Sequence, residues 1–299
     1  MYTTKQIENK TKQYLIYILD ISQYLIFYKI MGYPVPTEFH NFLYDVPKKY
    51  NSYYNANNTD RQSLSRTTTN EYMEEYINYI NKFSRLYKSL PFIKTIYLCN
   101  SISFNALHNN SDIDLFIVTN NNAIRRARFF SVLLFFFIGA KRSQKNKSMK
   151  FCLSFYVTEK NQNLYNISLP QGDVYLAYRL SHLIPLYHNT NHLPNIYKHN
   201  QRYKSLLPNH PTKHIINIGS QTFYGRSITK RILEFFFWWI FWKLVEFIMK
   251  LVRLPIVITK KRNLKSNWNN IIINDNMLKF HLDIRKKIHL LFSLQQRGK

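Results

Sequence analysis

Acidic residues are scarce in this chain: 16 Asp and Glu stand against 42 Lys and Arg, a formal charge of +26 over 299 residues. Such a balance attracts polyanions, whether RNA, DNA, nucleotides or anionic lipid. It also leaves few positions for any chemistry that needs carboxylates. Glycine is scarce too, at 6 residues, while Asn, Lys, Ile, Tyr and Phe crowd the chain. An AT-rich genome imposes the same bias, so the charge informs association and not fold. Cysteine is limited to Cys99 and Cys152, both inside apolar stretches. That excludes a disulfide framework and reads as reduced, buried thiols in a cytoplasmic protein. The opening residues Met1-Tyr2-Thr3-Thr4-Lys5-Gln6-Ile7-Glu8 carry no charged-then-apolar signal pattern, so secretion is not expected. There is no internal repeat and no persuasive zinc-ligand spacing; His188 and His192 are four apart but straddle a loop beside Pro194.

What is present is long enough to bury one sizeable core or two smaller ones, and we expect a central domain with appended helical parts. Apolar residues at helical spacing predict a helix over 4–32, closed by Gly32-Tyr33-Pro34, and a short one capped by Thr37. Two helices joined this way suit a degenerate helix-turn-helix. Residues 46–70 are polar and read as linker. A helix is expected over 71–90, a buried strand over 93–99, a strand over 112–118 and an apolar helix over 123–140. The charge-free part of that last helix, bounded by Arg125, Arg126, Arg128 and by Lys141-Arg142, falls short of the roughly 20 apolar residues that span a bilayer. Strands over 151–157 and 164–169 follow, then a helix over 173–187, a short strand over 270–274 and a basic helix over 277–294. The aromatic run Phe235-Phe236-Phe237-Trp238-Trp239-Ile240-Phe241-Trp242 is broken by Lys243 and Glu246. A helix packed on the core, an interfacial membrane helix and an oligomer contact all fit it.

The stretch that decides most is Asn100-Ser101 followed by Ser111-Asp112-Ile113-Asp114-Leu115-Phe116-Ile117-Val118. Two aspartates separated by one residue on a strand share a face, because side chains alternate with period two. A carboxylate pair so placed repels itself until a cation relieves it, and Mg2+ typically takes one or two carboxylates plus substrate phosphate oxygens.

The order strand, hydroxyl-bearing turn, short helix, loop and Asp-x-Asp strand resembles the polymerase beta-like nucleotidyltransferase superfamily, whose signature is a Gly-Ser turn followed by Ser-Asp-hydrophobic-Asp. Asn100-Ser101 and Ser111-Asp112-Ile113-Asp114 hold those places. The flanks, with Arg128, Cys152-Leu153-Ser154-Phe155, Tyr175-Leu176-Ala177-Tyr178 and Leu278-Lys279-Phe280-His281, are similar to uncharacterised bacterial proteins carrying a nucleotidyltransferase domain. The resemblance implies that Asn100, Ser101, Ser111 and Arg128 contact the triphosphate of an NTP, through backbone N–H groups at a helix start and the Ser101 hydroxyl. It implies that Asp112 and Asp114 hold Mg2+ for attack of an acceptor hydroxyl on the α-phosphate. The chain departs from the signature twice. Asn100 stands where glycine is usual, and the strand over 151–157 has no third carboxylate. Between Asp114 and Glu234 the acids are Glu159 and Asp173; Glu159, just past the strand, is the candidate third catalytic carboxylate, and Asp173 reads as a helix N-terminal residue. Of the basic groups near the motif, Arg125, Arg126 and Arg128 are favoured over the run Lys141, Arg142, Lys145, Lys147 and Lys150 for phosphate contact.

The expectation is therefore an α+β protein: a helical module and linker over 1–70, a nucleotidyltransferase core with a small mixed sheet over 71–170, and a helical C-terminal layer over 171–299. Its expected activity is Mg2+-dependent transfer of an NMP from an NTP to a hydroxyl. The alternatives are a catalytically weakened nucleotide- or RNA-binding member of the same fold, and a basic peripheral membrane protein.

Overall fold

The computed structural model describes Met31 and residues 71–168, 173–190, 196–201, 222–239 and 271–280. Within them the chain runs α1 (Met73–Asn81), α2 (Ser84–Ser89), β1 (Ile93–Cys99), a 3-10 turn (Asn100–Ile102), β2 (Ile113–Thr119), α3 (Ile124–Phe137) and β3 (Phe151–Thr158). It continues through 3-10 turns at Glu159–Asn161 and Tyr165–Ile167 to α4 (Val174–Ser181), β4 (Ile184–His188) and α5 (Ile196–His199). Last come β5 (Phe223–Tyr224), α6 (Ile228–Trp239), β6 (Ile272–Ile273) and β7 (Met277–Lys279). The helices expected over 4–32 (Met31 apart) and 37–43, the linker over 46–70, and the continuations past Trp239 and Phe280 lie outside the described residues.

The strands form one seven-stranded mixed sheet, ordered β5-β4-β1-β2-β3-β7-β6, and the class is α+β. β1 and β2 are antiparallel, with Ile93 opposite Thr119 and Cys99 opposite Asp114. α3 carries the chain back along the sheet so that β3 lies parallel to β2, Ile113 beside Phe151 and Thr119 beside Thr158. β2 is the middle strand, and all seven of its residues are buried. A nearly continuous apolar run is what a strand covered on both faces requires.

Alternation along β2 divides the core into two layers. Ile113, Leu115 and Ile117 face one layer with Ile77 and Ile80 of α1, Tyr87 of α2 and Ala127 and Phe130 of α3. Phe116 and Val118 face the other, with Leu176, Ala177 and Leu180 of α4 and Ile196 of α5. Asp112 and Asp114 belong by the same alternation to the α4 side.

Several elements differ from the sequence expectation. The helix over 71–90 is two helices; between them Phe83 turns inward, with its ring 5.1 Å from Tyr79 and 5.3 Å from Phe151. The strand over 164–169 is a 3-10 turn, because the edge of β3 where it would pair is taken by β7. Asp173 does cap a helix, its carboxylate accepting from Leu176 N at 2.9 Å, but that helix stops at Ser181. Pro185 cannot continue it and sits instead in β4, opposite Tyr97. Where the basic helix was expected to begin there is a strand: Met277, Leu278 and Lys279 are buried against Val157, Tyr156 and Phe155. Asn274 Oδ1 accepts from the backbone of Asn276 and Met277 and tightens the β6–β7 turn. The region after 170 thus supplies β4 to β7 as well as helices.

α6 packs through Lys230 and Glu234, whose side chains reach Ile93 O and Phe92 N, while Ile228, Ile232 and Phe235 stay exposed. Among the described residues no helix is long and apolar enough to cross a membrane.

Candidate functional site

Asp112 immediately precedes β2 and Asp114 is its second residue, so the pair sits at the head of the middle strand. Asp114 is 7% exposed and lies between two cysteines in the sheet, Cys99 on β1 and Cys152 on β3. Carboxylate oxygens of Asp112 and Asp114 and the sulfur of Cys152 all lie within 4.8 Å of one another, a group that could hold a metal ion.

One oxygen of each carboxylate meets a side-chain donor. Arg142 Nη1 donates to Asp112 Oδ2 at 2.5 Å and lies 3.5 Å from Cys152 Sγ. Asn100 Nδ2 donates to Asp114 Oδ2 at 2.7 Å. Asn100 ends β1 with φ +61°, the left-handed region that asparagine tolerates better than most residues. Its carbonyl accepts from Phe104 N at 3.1 Å and Ser103 Oγ at 2.8 Å. Asparagine therefore takes over the backbone role expected of glycine and adds a side chain that holds Asp114. Ser101 follows on the same turn, half-buried, its carbonyl accepting from Ala106 N at 2.8 Å.

Ser111 closes the neighbouring loop: its Oγ accepts from His108 N at 2.9 Å and its carbonyl from Tyr76 OH at 2.7 Å. The basic segment before β3 packs on this loop, with Met149 N donating to Ser111 O at 3.0 Å and Ser148 Oγ to Asn109 O at 2.5 Å.

The structure separates other expected site residues from the pair. Glu159 follows Thr158, which lies beside Thr119 at the opposite end of β2. Over a seven-residue strand that is about 20 Å from the aspartates. Glu159 instead accepts from Lys94 Nζ at 3.0 Å. Where a third carboxylate was sought, the residue beside Asp114 is Cys152. Arg128 is also displaced. α3 starts where β2 ends and packs on the other face, and the Arg128 guanidinium lies 4.0 Å from the Phe280 ring centroid. Arg125 pairs with Asp275, and Arg126 donates to Asn122 O at 3.0 Å and lies over the Phe92 ring. The arginine at the aspartates is Arg142, from the run judged second.

Arg179 of α4 escaped the sequence reading altogether. It is buried, its guanidinium 3.6 Å from Cys99 Sγ and over the Phe155 ring. A lone arginine in the apolar helix Val174–Ser181 was the available signal. Burial opposes its charge, but Cys99, Tyr175 and Asp114 outweigh that and raise its pKa.

The chain matches no protein-family model, no curated protein and no solved structure. The chemistry of the site therefore rests on its own donors. Burial pushes the Cys99 thiol up to about 11 and raises the Cys152 thiol further, Asp114 adding to the second shift. Both sulfurs are thus protonated at neutral pH. Asp112 raises the Arg142 pKa against the effect of burial, which works in the opposite direction. Two carboxylates with a guanidinium bridging Asp112 Oδ2 and Cys152 Sγ make a place that accepts positive charge, so the residues present fit a divalent cation.

Proposed function

We propose that the chain is a nucleotidyltransferase: it binds a divalent cation and an NTP at the head of β2 and moves the NMP to a hydroxyl of an acceptor such as a protein, an antibiotic, a sugar or an RNA end. The observation that carries this reading is the pairing of the two carboxylates at the head of β2 with the Asn100 turn, joined by the bond from Asn100 to Asp114. Asp112 and Asp114 would hold the cation, which the resemblance names as Mg2+ and which neutralises charge on the triphosphate when bound. The Asn100-Ser101 turn offers backbone N–H groups and the Ser101 hydroxyl to phosphate oxygens. Arg142, once its carboxylate is shared with a cation, can turn its guanidinium to phosphate, a geometry that suits its planar donors.

A second reading, nucleotide or RNA binding without transfer, is favoured by one observation: among the described residues no third carboxylate joins the pair. Incubating the protein with Mg2+ or Mn2+, each labelled NTP, RNA and cell extract separates the two. Transfer predicts a labelled product that falls at least about a hundredfold with Asp112→Asn plus Asp114→Asn, the scale expected when metal stabilisation is lost. No label with any NTP, alongside salt-sensitive RNA binding indifferent to the double substitution, establishes the second.

A further inference from the structure

Cys152 has no part in the proposed transfer, yet it is the strand neighbour whose sulfur lies together with the two carboxylates. In the parallel register of β2 and β3 it lies beside Asp114, 6% exposed, with its sulfur inside the 4.8 Å group. A cysteine that only fills space sits among apolar atoms. This one has Ser154 Oγ at 3.3 Å and the Arg142 guanidinium at 3.5 Å. The guanidinium that touches it also bonds Asp112, so one cationic group already bridges an oxygen and the sulfur.

Sulfur changes which metal the site would choose. Mg2+ is a hard ion that takes oxygen in near-ideal octahedra and sheds water reluctantly. A thiolate favours softer divalent ions, and three protein donors with a fourth position left for water or a substrate oxygen is the arrangement of open zinc sites. We propose that Cys152 is the third ligand of the Asp112 and Asp114 site, and that its metal is a thiophilic divalent ion of the Zn2+ and Co2+ class rather than Mg2+. This rests on the reading that the pair holds a cation at all. As the metal–sulfur bond forms, the thiol proton passes to solvent and no atom changes oxidation state. The Arg142 guanidinium leaves Asp112 and Cys152 and is released toward the phosphates.

The test uses the full chain stripped with EDTA. Co2+ should produce a thiolate-to-metal charge-transfer absorption that disappears in Cys152→Ser and persists in Cys99→Ala. Zn2+ should bind at least about tenfold more weakly to Cys152→Ser, a loss seen even when only outer-shell groups of a metal site are disturbed. In the unaltered protein, Zn2+ but not Mg2+ should protect Cys152 from alkylation, read by peptide mass spectrometry, which needs no variant to fold. Co2+ bound without the absorption, an absorption that survives Cys152→Ser, or alkylation of Cys152 indifferent to Zn2+ overturns the proposal. If Mg2+ binds and NTP-dependent labelling proceeds under those outcomes, the transfer reading stands alone. If no divalent ion binds, both fall.

Discussion

Asn100 holds Asp114 through a 2.7 Å bond from Nδ2 to Oδ2 while its own backbone occupies φ +61°. One residue thus fixes both the turn and the carboxylate, and two substitutions separate those roles. Asn100→Gly keeps the left-handed turn and loses the bond; Asn100→Ala loses the bond and strains the backbone. Urea unfolding should rank native above Gly above Ala, the Ala variant lying about 1–2 kcal/mol below Gly from the left-handed penalty alone.

Arg142 and a cation compete for Asp112. The pair is partly solvated, with side-chain exposures of 33% and 20%. Its rupture therefore costs little, and Arg142→Gln should tighten divalent-ion binding in the absence of nucleotide by up to about fivefold, the equivalent of ~1 kcal/mol or less. Calorimetric titration of the two proteins measures it directly.

Glu159 is bonded to Lys94 at the far end of the sheet. Glu159→Gln should leave cation binding and NTP-dependent labelling unaltered within about twofold. Its stability cost, for an exposed pair, should stay under about 1 kcal/mol in thermal unfolding.

Two buried bases make stability pH-dependent in the same direction. Burial lowers the His188 pKa from 6.5 to about 4 and the Lys230 pKa from 10.5 to about 7. For each, the unfolded chain carries the extra proton between the folded and unfolded values, so stability rises with pH across that window. Lys94 and Lys230 push His188 further down, while Glu159 partly offsets them. Acidification from pH 6.5 to 5 should lower the urea midpoint of the native protein, and His188→Asn should flatten that slope. Lys230→Met should flatten the rise from pH 7 to 9. Tyr187, beside Lys230, is raised above its usual 10 by burial and stays neutral throughout that range.

The parts of the fold legible in the sequence are those whose pattern is local. The limits of β1 match the expected 93–99, and β2, α3 and β3 fall within a few residues of theirs, because long apolar runs and flanking breakers define them. β4 and β7 were read as helix because strands of five and three residues owe their form to partners far along the chain. The site divides in the same way. Asp112 and Asp114 were read together from their spacing, and Asn100 from the place it takes in the resemblance. Arg128 was favoured because arginine suits bidentate phosphate contact while Arg142 stands in a lysine run that reads as a solvated loop, yet α3 departs from the far end of β2 and the chain returns to the aspartates only at β3. Cys152 reads as a small hydrophobe until the register places it beside Asp114.

β7 joins the sheet by pairing with β3, a strand completed more than a hundred residues earlier in the chain, Val157 meeting Met277. During synthesis, β1, β2 and β3 emerge together and can pair at once, yet among the described residues the neighbour on the other side of β3 is residues 277–279, which leave the ribosome much later. For most of the time taken to translate its second half, the edge of β3, the strand that carries Cys152, therefore waits for β7, and an unpaired strand edge is a template for pairing with another chain.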